Sequence, residues 1–311
     1  MEFRQLQSFC TVAATLNFTR AASLLGYAQS SVTTQIQQLE DELHAKLFER
    51  LGKTIVLSAE GECFLMYAKQ ILNLSLAAKE AVSGSTTPRG SITIGAPESL
   101  CVHRLPLVLQ EYRKRHPDVK ISLKTGTCND FAHWLKTHTI DIAFFLQQEN
   151  HHPELIIRTL FRAPMVIAAS TDHPLAGKGS ITPADLHNET LILSESGCSY
   201  RIIIESMLRA AGSYPASILE FSSVNAMKQC AISGLGITVL PMIAISTEIV
   251  TGQLVNLNWS GPDFNLYAQI GYHKDKWLSP ALSAFFNLAI ELFITESKNS
   301  ANAEEKGSKP L

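Results

Sequence analysis

The sequence predicts two dissimilar domains, a small α+β domain of short helices with a two-stranded wing and a larger α/β domain after it. Three observations carry that expectation. The 311 residues amount to about two domains at roughly 150 residues each. Apolar residues recur at helical steps to residue 43, and two short strand-like runs follow before residue 58. Beyond a stretch rich in Gly, Ser, Thr and Pro, strand-like and helix-like segments alternate to about residue 294, the pattern of mainly parallel sheets under covering helices. With 46% hydrophobic residues the chain has ample material for buried cores.

Leu6, Phe9, Val12 and Ala13 recur at three- and four-residue steps and mark one face of a first helix. A second helix is expected from Thr19, whose hydroxyl can cap free N–H groups, to Leu25, with Gly26 stopping it. A third should run from Gln29 to Leu43 without Gly or Pro. At about 100° per residue, Val32, Ile36, Leu39 and Leu43 share one sector, opposite Ser30, Thr34, Gln37 and Gln38. Leu47 to Arg50 and Thr54 to Leu57 then form a wing around Gly52, with Arg50 and Lys53 at its tip.

A long helix from Ser58 to about Ser85 has Ser58 as its cap and Glu60 and Glu62 in its first turn, where the helix dipole favours acids. Its stripe of Phe64, Leu65, Ala68, Ile71, Leu72, Leu76, Ala78 and Val82 suits an interdomain spacer or a self-association seam. The length exceeds what a small winged domain covers, which favours the seam. The divisions expected are 1–58 for the winged domain, 59–90 for the linker helix and hinge, and 91–294 for the α/β domain. Within the last, 91–161 and 266–294 make one half and 162–265 the other, with a cleft between them. The polar tail, 295–311, is expected to be disordered.

Charge and motif content exclude several classes. The chain has 26 Lys and Arg against 28 Asp and Glu, so any nucleic-acid contact must come from a local element and not from a global positive field. The longest near-continuous apolar run, Gly234 to Ile245, is interrupted by Thr238 and Pro241 and falls short of the ~20 residues that cross a bilayer. The polar start has no signal-peptide pattern, which predicts a cytoplasmic location and no membrane partner. The six cysteines form no C-x-x-C pair, and neither His151 with His152 nor His133 with His138 completes a metal-ligand set. There is no Walker A sequence and no G-x-S-x-G, and Gly234-Leu235-Gly236 follows a helix instead of opening one. Neither an enzyme nor a bound cofactor is expected.

Taken in order, Thr19-Arg20-Ala21-Ala22, Gly26, Gln29-Ser30-Ser31-Val32-Thr33, Gln35-Ile36, Leu39-Glu40, Leu43, Leu47-Phe48-Glu49-Arg50 and Ser58-Ala59-Glu60-Gly61 resemble the LysR-type transcriptional regulators. Ile94-Gly95, Leu105-Pro106, His116-Pro117, Asp141-Ile142-Ala143, Gly234-Leu235-Gly236-Ile237 and Leu240-Pro241 extend the resemblance to about residue 294. It implies a winged helix-turn-helix, a dimerising linker helix, and an effector domain of two Rossmann-like halves similar to periplasmic binding proteins. It further implies a homodimer or dimer of dimers on double-stranded promoter DNA, contact with RNA polymerase, and a small-molecule co-inducer that alters DNA bending. Ala28 stands where the family often has Ser, and His44 where Gly is frequent after the recognition helix.

Residues 1–60 hold five basic residues (Arg4, Arg20, Lys46, Arg50, Lys53) and six acidic ones, but Glu40, Asp41, Glu42 and Glu49 lie at or beyond the far end of the third helix. Its leading end is free of acids, and that end enters the major groove in such motifs. Gln29, Ser30, Ser31, Thr33, Thr34 and Gln37 are the candidates for base edges, and Arg20, Arg50 and Lys53 for phosphates. Taken singly, each polar residue also fits an ordinary solvated helix face.

In the α/β domain, four strand-to-helix junctions offer free N–H groups to an anion. By resemblance the effector should meet Ser99, Leu100, Thr125, Gly126, Thr127, Cys198 and Val224, with Phe144 as an apolar wall, and should be small and polar or anionic. Ser99 and Ser223 also fit simple helix caps. Cys198 resembles in position the reactive cysteine of the family's peroxide-sensing branch, but the next cysteine is Cys230. Redox sensing, lining of a small polar site and inert packing all stay open for it. The rival class is a cytoplasmic solute-binding or enzymatic α/β protein with an added helical domain.

Overall fold

The computed structural model describes the chain apart from residues 53, 84–86 and 308–311, and without side chains at 50, 51, 73, 76, 77, 80–83 and 295–307. It divides into two units, Met1–Thr86 with Thr137–Thr139, and Thr87–Lys136 with Ile140–Leu311.

The first unit is built from α1 (Phe3–Thr15), α2 (Phe18–Leu25), α3 (Gln29–Leu43), the antiparallel wing strands β1 (Phe48–Leu51) and β2 (Thr54–Leu57), and α4 (Ala59–Ser83). Leu6, Phe9 and Val12 of α1, Ala21 and Ala22 of α2 and Val32, Ile36 and Leu39 of α3 close one core with Leu47 and Ala68. The Phe9 ring joins it to Phe48 and Phe64, with centroids 5.5 and 5.1 Å away. The cap of α2 is Asn17, which accepts from Arg20 N at 3.0 Å, and not the expected Thr19. A carboxamide one residue before the helix starts sits where an N-cap oxygen must be, whereas Thr19 is already helical. Gly26, at φ +70°, supplies the left-handed residue that ends α2.

At the start of α4, Ser58 accepts from Gly61 N at 2.9 Å. A Cβ on Gly61 would stand 2.0 Å from the Leu47 carbonyl oxygen, so a glycine lets the helix seat against the wing. The near half of the predicted α4 stripe, Phe64, Leu65, Ala68, Ile71 and Leu72, packs into this core. Farther along, Leu74 and Ala78 are exposed, while the side chains of Leu76 and Val82 lie outside the described residues.

The second unit holds two five-stranded sheets. The first is ordered β4 (Val119–Lys124), β3 (Gly90–Gly95), β5 (Ile142–Gln147), β12 (Tyr267–His273), β6 (Leu155–Arg162). The second is ordered β11 (Leu254–Asn256), β7 (Met165–Ser170), β10 (Ile237–Pro241), β8 (Thr190–Ser194), β9 (Ser217–Phe221). Both are mixed and not mainly parallel. β3 runs parallel to β4 and β5, but β12 is antiparallel to β5 and β6; β8 runs parallel to β9 and β10, but β7 is antiparallel to β10 and β11. The chain passes from β6 into β7 and from β11 into β12, the two passages between the sheets, with no helix between.

Between strands lie α5 (Glu98–His103), α6 (Leu105–Arg115), α7 (Cys128–Lys136), α8 (Ser199–Ala210), α9 (Val224–Ile232) and α10 (Met242–Val250). Pro106, in the first turn of α6, separates α5 from α6. The helix α11 (Pro280–Gly307) covers the first sheet, Phe285 and Phe293 meeting Phe144 at 6.4 and 5.6 Å. It continues past Ile294 into the segment expected to be disordered. That segment is polar but has neither Gly nor Pro before Gly307, so nothing in its backbone chemistry stops a helix already nucleated.

Candidate functional site

In the first unit, packing Val32, Ile36 and Leu39 inward leaves Gln29, Ser30, Ser31, Thr34 and Gln37 exposed and Thr33 half-buried. Gln29 to Gln37 spans about 12 Å at 1.5 Å per residue, the reach of three or four base pairs. No acidic side chain belongs to this stretch. Thr33 Oγ1 donates to Gln29 O and Thr34 Oγ1 to Ser30 O, each at 3.0 Å, leaving oxygen lone pairs to accept from a base. Ala28 precedes the helix without a side-chain cap, so the first amides of α3 are open.

Gln35 and Gln38 point toward α1. Ser8 Oγ donates to Gln35 Oε1 at 2.5 Å and Gln5 Nε2 to Gln38 Oε1 at 3.3 Å. Angular position alone had grouped Gln38 with the free polar face. Arg20 is exposed on α2; the Arg50 side chain and Lys53 fall outside the described residues.

Glu40 has a role that the sequence did not reveal. At 7% exposure, its carboxylate accepts from Leu47 N at 2.9 Å, Phe48 N at 3.4 Å and Lys46 Nζ at 2.7 Å. It therefore ties the end of α3 to the wing and belongs to the framework, not to the exposed polar row of α3.

In the second unit, Ser99, Gly126, Thr127, Cys198 and Val224 line one cavity of about 60 Å³ between the two sheets' junction loops. Glu98, Cys128, Leu146, Ser194, Glu195, Ser199 and Tyr200 line it with them. Leu100, Thr125 and Phe144 do not. Leu100 is wholly buried in the main core, Thr125 is exposed one residue before the junction turns inward, and Phe144 packs on α11. Leu146, two residues on and on the same face of β5, is the apolar wall instead.

The cavity's polar geometry is already partly self-satisfied. Glu98, at the start of α5, accepts from Val224 N at 2.6 Å and from Ser223 Oγ at 3.3 Å, joining the first half to the N-terminus of α9. Ser223 also caps α9 through Ala226 N. Asp130, in the first turn of α7, accepts from both Thr127 N and Thr127 Oγ1 at 2.8 and 2.7 Å, and Thr127 Oγ1 in turn caps the helix by accepting from Asp130 N at 3.3 Å. Ser99 is buried and caps nothing, since the residue before α5 is Pro97. Cys198 precedes α8 without a side-chain cap bond. Burial pushes the Cys128 thiol up to about 11 and drives the Tyr200 phenol well above its ordinary range, the neighbouring Cys198 adding to the latter. Cys230 lines no part of the cavity and packs against another cluster in the second half. Among the described residues no group of His, Cys, Asp and Glu is placed to hold a metal ion.

Two family profiles match the chain, "Bacterial regulatory helix-turn-helix protein, lysR family" over residues 3–62 and "LysR substrate binding domain" over residues 85–293. The Bacillus subtilis protein named as the uncharacterized HTH-type transcriptional regulator YwqM is 41% identical over 294 residues, 94% of this chain and 100% of its own. Full-length OxyR from Pseudomonas aeruginosa is similar in structure with a TM-score of 0.75 at 21% identity, covering 94% of each chain. Full-length CbnR complexed with its target DNA gives 0.64 at 24% identity, covering 94% of this chain and 100% of that one. At these identities the structural likeness is one of fold.

Proposed function

Since this chain belongs to the LysR family of bacterial helix-turn-helix regulators, we propose that α3 reads promoter DNA through Gln29, Ser30, Ser31, Thr33, Thr34 and Gln37. An effector in the cleft of the second unit then controls promoter binding and DNA bending. The chain is a DNA-binding regulator with an effector-binding domain, and the relatives it matches are regulators and not enzymes.

The observation that carries the reading face is the exposed, uncharged row on α3 behind open N-terminal amides. Each side chain has a base-edge partner: Gln forks match adenine, and Thr can accept, donate or touch a thymine methyl. Arg20, Arg50 and Lys53 supply phosphate contacts in this reading. Few cations per subunit are offset when two or four copies share one operator, so a dimer or dimer of dimers should bind with a marked salt dependence. The exposed outer part of α4 would supply the seam between copies. RNA polymerase is the expected protein partner, and a cytoplasmic location agrees with the lack, among the described residues, of any helix long and apolar enough to cross a membrane.

For the effector site we carry forward Ser99, Gly126, Thr127, Cys198 and Val224, with Leu146 in place of Phe144. A redox switch between Cys198 and Cys230 has no support in their placement, since only Cys198 borders the cavity. A gel shift with promoter fragments, including the region upstream of its own coding sequence, tests the function. A specific shift at moderate salt is expected, and its absence with well-folded protein would sink the regulator reading.

A further inference from the structure

We propose that the cleft of the second unit takes a small molecule bearing a protonated amine, of the size and charge of a small zwitterionic α-amino acid, and not a simple carboxylate. This rests on the reading of that cleft as the effector site and adds the ligand's chemical class.

Three observations point the same way. Two carboxylates, Glu98 and Glu195, line the cavity, and no Lys, Arg or His does so among the described residues. Glu98 is engaged at α9, while Glu195 forms no ion pair or side-chain hydrogen bond among the described residues. An unaccompanied anion would therefore enter a site that is already negative.

The helix ends that would draw an anion are mostly taken. Glu98 meets the first amide of α9, and Asp130 meets the amide and hydroxyl of Thr127 before α7. The twelve-residue α8 presents its N-terminus to the cavity without a side-chain cap, with Ser199 beside it; the six-residue α5 is likewise uncapped but carries Glu98 in its own first turn. That leaves room for one carboxylate, not two.

The third observation is Ser194, the last residue of β8. It is 8% exposed, lines the cavity, and its Oγ has no hydrogen bond of good geometry among the described residues, although the Tyr200 phenol is close enough to feel it. A buried hydroxyl left unmet is costly unless a ligand meets it. An ammonium has three donors, and Glu98, Glu195 and Ser194 are three acceptors on the wall of one cavity. A space of about 60 Å³ holds four to six water-sized groups at roughly 10–15 Å³ each, the scale of glycine or alanine.

The test is calorimetric titration of the full chain with pairs that exchange –NH3⁺ for –OH: glycine against glycolate, and L-alanine against L-lactate. The amine of each pair should bind roughly tenfold tighter or better, the return of a charge-assisted hydrogen bond. Glu195→Gln should weaken the amine by a similar factor without weakening the hydroxy acid, and Ser194→Ala should weaken the amine several-fold. The inference is overturned if the hydroxy acid binds as tightly as the amine, if neither amine binds at about 10 mM, or if Glu195→Gln leaves amine affinity unchanged. A gel shift on the same samples separates the two failures. Operator binding intact beside any of those results sinks only the ligand class, whereas operator binding absent in the unaltered chain sinks the functional reading beneath it.

Discussion

Glu40→Ala is the substitution most informative about how the DNA-binding unit is held together. The carboxylate, 7% exposed, receives the amides of Leu47 and Phe48 at 2.9 and 3.4 Å. Leu47 is itself buried, so its N–H loses its acceptor and no water replaces it. A hydrogen bond to a charged group is worth about 1.5–3 kcal/mol. The longer contact to Phe48 adds less, and the exposed Lys46 pair adds little. The expected loss is about 2–3 kcal/mol. For the unit ending at Thr86, roughly 4–8 °C per kcal/mol for a domain of that size places the drop at about 10–20 °C. Differential scanning calorimetry of the full chain should show the transition of this unit moving down while that of the other unit stays in place. Operator affinity should fall with it, because the wing loses its tie to α3. A shift of under about 2 °C, with unchanged DNA binding, would refute the assignment of Glu40 to the framework.

Other substitutions probe separate parts of the account. His44 holds a left-handed φ of 52° at the end of α3, so His44→Gly should stabilise the unit by about 0.5–1 kcal/mol in urea unfolding; destabilisation would contradict a strained cap. Lys228 and Glu248 pair at 2.7 Å between α9 and α10, both nearly buried. Lys228→Met should cost about 3–5 kcal/mol by stranding Glu248, and Lys228→Met with Glu248→Leu should recover most of it. The Cys128 thiol, raised by burial from 9.0 to about 11, should hold roughly a hundredfold less thiolate at pH 8 than an unperturbed one. Its alkylation, followed by peptide mass spectrometry, should be slower in proportion and should quicken as the pH rises toward 11.

Much of the architecture was legible because local signals and tertiary demands agreed. The bounds of α3 and the wing follow from an uninterrupted 3.6-residue pattern and from Gly52 at a turn. No strand or helix is predicted from sequence for Ile237 to Asn256, which holds β10, α10 and β11. All five residues of β10 are buried, so it shows no alternation, and an apolar run without period does not declare itself as strand or helix. At the cleft, position on a junction was readable from sequence, but the direction a side chain takes from it was not. Phe144 and Leu146 share a face of β5, but Phe144 packs against Phe285 and Phe293 of α11 while Leu146, nearer the end of the strand, lines the cavity. The electrostatics of the cleft were the least legible. Helix N-termini argued for a small polar or anionic ligand, and Glu98 reaches the α9 terminus from 126 residues away, a partnership with no local signature.

Net charge near zero looked unfavourable for DNA binding, and its resolution is that Glu40 is internal to the fold while the exposed row on α3 is neutral. Competitive binding of the unaltered chain and of Thr34→Ala with Gln37→Ala, to the operator and to an unrelated duplex at one salt concentration, tests that claim most directly. At about 1–3 kcal/mol for each good base contact, the double variant should lose at least roughly tenfold in operator affinity and keep its affinity for the unrelated duplex. Unchanged operator affinity and unchanged sequence preference would contradict the placement of α3 as the reading element.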